Sequence, residues 1–152
     1  MTIALLFPGQ GSQSIGMLAE LASTCPEVEA TFSEASSVLG YDLWDLCQNG
    51  PVDDLNATHR TQPAMLAAGI ATWRAWKAAG GSDPDMAAGH SLGEYTALVV
   101  ADALDFKDAV DLVRFRGECM QDAVPVGTGA MAAIIGLDDN AVRAACLAAS
   151  AH

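Results

Sequence analysis

The sequence predicts an α/β fold with parallel strands. An apolar run at residues 2–7 ends at Pro8 and Gly9, which is typical of a buried strand followed by a loop. A second short run of small residues, 85–89, precedes a helical segment. Amphipathic segments separate and follow the two runs, and strands that alternate with helices favour a parallel sheet.

Capping and breaking residues place the first helices. Gln13 or Ser14 could open a helix that runs to about residue 23. Pro26 starts a second helix, which Gly40 ends, because proline suits the first turn and glycine suits the position after the last. Residues 42–56 mix short helical turns with a Gly-Pro break.

A long helix is predicted from Thr61 to a Gly-Gly stop, with Trp73 and Trp76 on one face and packed in the core. Further helices are expected after residues 93 and 105. The composition changes at residues 125–129, which we interpret as a subdomain boundary. A strand at 130–137 and a final helix capped by Asp138 or Asp139 complete the prediction.

Composition and charge narrow the function classes. The chain has 152 residues, 51% of them hydrophobic, and a formal net charge of -12. One packed domain is therefore expected, and neither nucleic acid nor a membrane is expected as a partner, because phosphate binding needs clustered cations. The acidity could favour a basic partner surface, but a solvated acidic surface is the simpler interpretation.

Cysteine and histidine spacing argues against a metal site. The four cysteines form no C-x-x-C pair, and no histidine lies at ligand spacing from one. We expect buried, reduced thiols and no bound metal. The N-terminal segment has no basic leader and no long apolar run, so a cytoplasmic location is predicted.

The pentapeptide Gly-His-Ser-Leu-Gly at 89–93 predicts a nucleophile elbow. In such an elbow a strand turns sharply into a helix and leaves the serine exposed at the tip. Gly89 and Gly93 would remove the side chains that clash across the turn, and the backbone N–H of Leu92 would face an oxyanion. His90 is expected to pack beside the elbow rather than to act as the base for Ser91.

The loop FPGQGSQ after the first strand allows two interpretations. Its Gly9-x-Gly11 could begin a dinucleotide fingerprint, but Ser14 stands where that pattern needs its third glycine. The alternative places the loop beside the elbow, where Gln10 supplies a second oxyanion N–H.

Four motifs together resemble malonyl-CoA:acyl carrier protein transacylases and the acyltransferase domains of fatty acid and polyketide synthases. Their order and spacing fit that family over essentially the whole chain. The motifs are FPGQGSQ near the N-terminus, TQPA at 61–64, GHSLGEYTAL at 89–98 and RGECMQDAVPVGTGAMAAIIGL at 116–137.

The resemblance implies a site and a reaction. Ser91 would carry a malonyl group from malonyl-CoA to the phosphopantetheine thiol of acyl carrier protein in fatty acid synthesis, without a cofactor. Gln10 and Leu92 would be the oxyanion donors. Arg116 would pair with the malonyl carboxylate, since a guanidinium grips a carboxylate with two hydrogen bonds. Gln62 would line the pocket.

The resemblance also implies an architecture. Residues 1–124 would form a partial α/β-hydrolase-like core, and 125–152 the start of a ferredoxin-like small subdomain. Family members are longer and supply a histidine base from a later segment, which this sequence does not contain. We therefore expect a truncated chain without the base, and exposed apolar surface through which copies could associate.

Other functions remain open at this point. The chain could be a non-catalytic fragment that binds acyl groups or a partner, or a malonyl transferase of malonate decarboxylation. A generic serine hydrolase needs a histidine downstream of the serine, and only His152 is there. Arg114 lies on a different helix face from Arg116 and is interpreted as a surface residue.

Overall fold

The computed structural model describes residues 2–123, 128 and 134–150, which form a helix-rich α/β fold. A small parallel sheet is combined with a larger set of helices, as the sequence predicts. In chain order the elements are β1 (Ala4–Phe7), α1 (Ala19–Ala22), α2 (Glu27–Leu39), α3 (Leu43–Asn49), α4 (Val52–Asn56), α5 (Thr58–Ala78), β2 (Met86–Gly89), α6 (Leu92–Val100), α7 (Phe106–Asp122) and α8 (Asp139–Ala149).

The sheet consists of β1 and β2 within the described residues. The two strands pair in parallel, in a register that runs from Ala4 opposite Met86 to Phe7 opposite Gly89. The predicted parallel pairing is thus confirmed. The prediction that β1 is buried is wrong, because the Leu6 side chain is 78% exposed. One face of this two-stranded sheet is not covered by the elements described.

The hydrophobic core lies among the helices, around α5. This helix packs against α2, α6 and α7, and it buries a nearly continuous apolar surface. The core is completed by aliphatic and aromatic side chains from α2, α3 and α7. Its largest fully buried apolar side chains are Phe32, Leu43, Leu55, Leu66, Ile70, Leu92, Val28, Val110 and Val113.

The observed helix ends agree best with the predicted ones where the sequence contains a capping residue. Pro26 and Gly40 flank α2, and Gly40 adopts a left-handed conformation with φ of 76°. The Asp138 carboxylate caps α8 by accepting from two backbone N–H groups. The first helix is shorter than expected, since α1 begins only at Ala19, and α5 begins three residues before the predicted Thr61.

Trp73 and Trp76 share one face of α5, but that face lines a groove and not the core. The groove has a volume of about 400 Å³ and lies between α5 and the uncovered side of β1. Trp76 is 46% exposed, and its indole N–H donates to the Ser82 carbonyl. The prediction of core packing is therefore wrong for Trp76, because no described element covers the groove that its ring lines.

Only part of the predicted C-terminal segment lies within the described residues. The proposed boundary at 125–129 lies outside the described residues except for 128, as do residues 130–133 of the predicted strand. Residues 134–137 are described and form no strand. That part of the strand prediction is wrong, since these residues pair with no other described strand.

Apolar side chains are exposed at several places, as the comparison with longer family members led us to expect. Ile135 is 93% exposed and Leu147 on α8 is 73% exposed. Among the residues described, no helix has both the length and the apolar character needed to cross a membrane.

The cysteines depart from the expectation of uniform burial. Cys47 is buried in α3, whereas Cys119 and Cys146 lie on the solvent faces of α7 and α8. All four cysteines are free thiols. Burial raises the pKa of the Cys47 thiol to about 12.

Candidate active site

Ser91 occupies a strained turn between β2 and α6. Its φ of 53° and ψ of -106° lie in a region that residues with a side chain rarely adopt. The strand ends at Gly89 and the helix begins at Leu92, so the chain reverses direction over two residues. The structure thus has the geometry that the Gly-His-Ser-Leu-Gly pattern predicts.

The glycines on either side of Ser91 are required by close backbone contacts. A side chain at Gly89 would overlap the backbone of Gly93, and a side chain at Gly93 would overlap the carbonyl group of Phe7. The elbow therefore packs directly against the end of β1. This close approach brings the loop after β1 next to Ser91.

The side chain and the backbone N–H of Leu92 have different roles. Its side chain is 1% exposed and anchors α6 in the core. Its backbone N–H is the first of α6, so it has no partner four residues earlier in the helix. The positive end of the helix dipole lies at the same place. No hydrogen bond among the described residues engages this N–H, so the elbow offers it where a negative charge would be stabilised.

The loop that follows β1 contacts the elbow through Gly9. A methyl group at Gly9 would lie 2.9 Å from the carbonyl oxygen of His90 and 3.1 Å from its Nδ1. Gln10 follows directly, and its side-chain Nε2 donates to Thr58 Oγ1 at 3.4 Å. None of the hydrogen bonds among the described residues engages the Gln10 backbone N–H. Gln10 thus lies in the segment that adjoins the elbow, as predicted.

Arg116 links the elbow to the helical core. From α7, its Nη2 donates to Ser91 Oγ at 3.1 Å and its Nη1 donates to Gln62 Oε1 at 2.7 Å. Its guanidinium carbon also lies 5.6 Å from the centroid of the Tyr95 ring. Arg116 on α7 is therefore hydrogen-bonded to Gln62 on α5 and to Ser91 just before α6, which are residues that the resemblance groups with it.

Every one of these partners of Arg116 is uncharged. Arg114, on the same helix, contrasts with it by pairing with Asp111 at 2.7 Å and Glu118 at 2.6 Å. The hydrogen bonds to these two carboxylates raise the pKa of Arg114. The interpretation of Arg114 as a surface residue is consistent with these exposed ion pairs. Among the described residues no carboxylate forms an ion pair with Arg116, so its positive charge is uncompensated there, which suits it to bind an anion.

Gln62 is held at both ends of its amide. The side chain is fully buried, its oxygen accepts from Arg116, and its Nε2 donates to Met120 Sδ at 3.3 Å. A buried amide with both ends bonded has one orientation, so the acceptor faces the guanidinium. Arg116 and Met120 are four residues apart on α7 and share a face.

Three described neighbours of the site were not predicted from the sequence, namely Met120, Tyr95 and Thr58. Helical spacing could have found Met120, which lies one turn after Arg116. The contacts of Tyr95 and Thr58 depend on how separate helices pack, for which the sequence carries no local signal.

The two described histidines lie near the site without bonding to the serine. His90 packs on Gly9, as expected, and the His59 backbone packs against Gly117 of α7. Within the part of the chain that the structure describes, the hydroxyl of Ser91 hydrogen-bonds to Arg116 and to neither histidine. In the same residues, no cluster of three or more His, Cys, Asp or Glu side chains is placed to hold a metal ion.

The parallel strand pair and the helices define the class: this is an α/β protein with a strained serine at a strand-to-helix elbow. The chain belongs to the acyl transferase domain family, whose model matches residues 4–149.

Individual relatives carry more specific names. The malonyl CoA-acyl carrier protein transacylase of Escherichia coli is 62% identical over 143 residues, which are 94% of this chain and 46% of the relative. The protein of that name from Bacillus subtilis is 52% identical over 141 residues, 93% of this chain and 44% of the relative. The chain spans somewhat under half the length of these relatives.

Solved structures show the same fold. An acyl carrier protein S-malonyltransferase from Vibrio cholerae matches with a TM-score of 0.88 and 60% identity, over 98% of this chain and 49% of that one. A malonyl-transacylase in complex with its type II PKS acyl-carrier protein matches with a TM-score of 0.90 and 59% identity, over 97% of this chain and 48% of that one.

Proposed function

We propose that this chain supplies the serine and the carboxylate-binding arginine of a malonyl transferase. The enzyme would move a malonyl group from malonyl-CoA to the phosphopantetheine thiol of acyl carrier protein, in fatty acid biosynthesis. The observation that carries the proposal is the hydrogen bond from Arg116 to Ser91 Oγ, made by an arginine whose hydrogen-bond partners among the described residues are all neutral. The names of the relatives support the same substrate and the same carrier protein.

The first half of the reaction would acylate the serine. Ser91 Oγ attacks the thioester carbonyl of malonyl-CoA, its proton passes to a base, and the CoA sulfur leaves and takes up a proton. The backbone N–H groups of Leu92 and Gln10 donate to the carbonyl oxygen as it becomes negative.

During this acylation, Arg116 would distinguish one acyl group from another. The malonyl carboxylate lies one methylene beyond the ester carbonyl, and Arg116 already reaches the oxygen that carries the ester. The guanidinium can therefore move from Ser91 Oγ to the carboxylate without displacement of α7. An acetyl group would leave it without an anionic partner in a half-buried site, so malonyl is preferred.

The second half would return the serine. The thiolate of the carrier's phosphopantetheine attacks the malonyl ester, a thioester forms, and Ser91 Oγ regains its proton. The reaction needs no cofactor beyond these two substrates. The base stays a prediction, since Ser91 Oγ hydrogen-bonds to Arg116 and to neither of the described histidines.

The finer architecture is also a proposal. The parallel pairing of β1 with β2 and the strained elbow support an α/β-hydrolase-like core over residues 1–124. The assignment of 125–152 to the start of a ferredoxin-like subdomain rests on the sequence resemblance alone.

Intact-mass measurement tests the function. The complete gene product is incubated with malonyl-CoA, and we expect one malonyl adduct that is located at Ser91 and is absent from Ser91→Ala. Added acyl carrier protein should remove the malonyl group from Ser91 and become malonylated itself. No adduct on the unsubstituted protein would contradict the proposal.

A second function is favoured by one observation. Ser91 is bonded to Arg116 and not to a described histidine, which suits a fragment that binds acyl groups without transferring them. Turnover by purified residues 1–152 decides between the two: transfer at the rate of the complete gene product would exclude the binding-only function.

A further inference from the structure

The loop between β1 and α1 is held in place by a glutamine side chain. Gln13 Oε1 accepts a hydrogen bond from the backbone N–H of Gly11 at 2.8 Å. The other end of the same amide, Nε2, donates to Asn56 Oδ1 at 2.8 Å. A single side chain therefore bonds its own loop to the end of α4.

Packing does not hold this part of the loop. Gly11 has a φ of 104°, and a methyl group built on it would meet no atom within 4 Å. A glycine in open space has access to many backbone conformations, so hydrogen bonds must select the one observed. The bond from Gly11 to Gln13 is the only one that its N–H makes among the described residues.

Asn56, which anchors the loop, lies next to the helix that contacts Arg116. Asn56 is the last residue of α4, and α5 begins two residues later at Thr58, which accepts the side-chain hydrogen bond of Gln10. The same helix carries Gln62, the partner of Arg116. The loop and the arginine are thus both hydrogen-bonded to side chains of α5, namely Thr58 and Gln62.

We propose that Gln13 is a positioning residue for the oxyanion hole. It fixes the peptide that joins Gln10 to Gly11, which is next to the peptide that carries the Gln10 backbone N–H. Together with the bond from the Gln10 side chain to Thr58, this restricts the direction of that N–H, which none of the hydrogen bonds among the described residues engages. This inference rests on the proposed function, in which Gln10 is one of the two oxyanion donors.

Four substitutions in the complete gene product test the role. Gln13→Leu removes both hydrogen bonds, whereas Gln13→Glu keeps the bond to Gly11 and can accept from a rotated Asn56 amide. Asn56→Ala removes the anchor alone. Asn49→Ala is the matched control, since Asn49 bonds to Asp45 within its own helix.

A positioning role gives a specific kinetic pattern. For Gln13→Leu we expect kcat to fall about tenfold for malonyl-CoA and acetyl-CoA alike, with KM and the malonyl preference unchanged, because the oxyanion forms with either acyl group. Gln13→Glu should restore most of the loss, Asn56→Ala should lie between, and Asn49→Ala should equal the unsubstituted protein. An unchanged kcat in Gln13→Leu would overturn the proposal, as would a loss confined to malonyl-CoA.

Hydrogen exchange separates this inference from the proposed function. In residues 1–152 the Gly11 amide should exchange at least about tenfold faster in Gln13→Leu than in the unsubstituted chain, since its acceptor is gone. Equal exchange rates would overturn the inference whatever the substrate. If Ser91 takes no malonyl group but the exchange rate rises and Ser91 reacts more slowly with a fluorophosphonate in Gln13→Leu, then the proposed function fails and the role of Gln13 stands.

Discussion

The uncharged side chain at Gln62 is central to the selectivity that we propose, and Gln62→Glu tests it. Glutamate has nearly the same shape and keeps an oxygen 2.7 Å from Arg116 Nη1. The substitution therefore adds a negative charge with little change in packing. That charge would neutralise the arginine before the substrate arrives.

The expected magnitude follows from the geometry. A malonyl carboxylate bound to Arg116 would lie across the guanidinium from the introduced carboxylate, at about 6 Å, where two like charges repel by about 3 kcal/mol at an effective dielectric constant of about 20. This corresponds to about a hundredfold loss in the rate of malonyl transfer. Acetyl has no carboxylate, so its transfer should change much less.

Steady-state kinetics with both acyl-CoA substrates would measure the effect. We expect kcat/KM for malonyl-CoA to fall about a hundredfold relative to acetyl-CoA. Protonation of the introduced carboxylate removes the repulsion, so the ratio should recover as the pH falls. Gln48→Glu, which adds the same charge to a glutamine that bonds to the Met17 carbonyl, is the control for net charge. A malonyl-to-acetyl ratio unchanged by Gln62→Glu in a folded protein would refute the reasoning.

Three further predictions concern the framework. Gly93→Ala should lower the free energy of unfolding by about 3 kcal/mol or more, because the added methyl would overlap the Phe7 carbonyl; urea denaturation measures this, and a loss below about 1 kcal/mol would contradict it. Iodoacetamide at pH 8 should label the exposed Cys119 and leave buried Cys47, whose pKa is raised to about 12, unlabelled; mass spectrometry that found both labelled in the folded chain would contradict this. Asp105→Ala should cost about 1 kcal/mol of stability, since the Asp105 carboxylate caps α7; an unchanged urea midpoint would show that the cap contributes nothing.

Local patterns in the sequence were sufficient for the elbow and for most helix ends. The proline and glycine around α2 act over a few residues. Gly89 and Gly93 belong to a five-residue pattern that identifies the turn, although Gly93 also packs against Phe7. The parallel pairing also followed, because alternation of strands and helices leaves few other topologies.

Contacts between residues that are distant in the sequence could not be predicted from local patterns. The exposure of Trp76 depends on whether another element covers β1, which no local pattern reports. Likewise Gln62 and Arg116 are separated by 54 positions, and only the packing of α5 on α7 brings their side chains together. The family resemblance named both residues, but only the structure shows that the hydrogen-bond partners of the arginine among the described residues are neutral.

The measurement that tests the central claim most directly is the acylation of Ser91 by malonyl-CoA and acetyl-CoA, present in equal amounts, in the complete gene product and in Arg116→Ala. Intact mass gives the fraction of each acyl group on the serine. We expect mainly malonyl on the unsubstituted protein and a clear shift towards acetyl in Arg116→Ala, since Arg116 donates to the oxygen that bears the acyl group. An equal loss of both adducts in Arg116→Ala, with the malonyl fraction unchanged, would contradict the account.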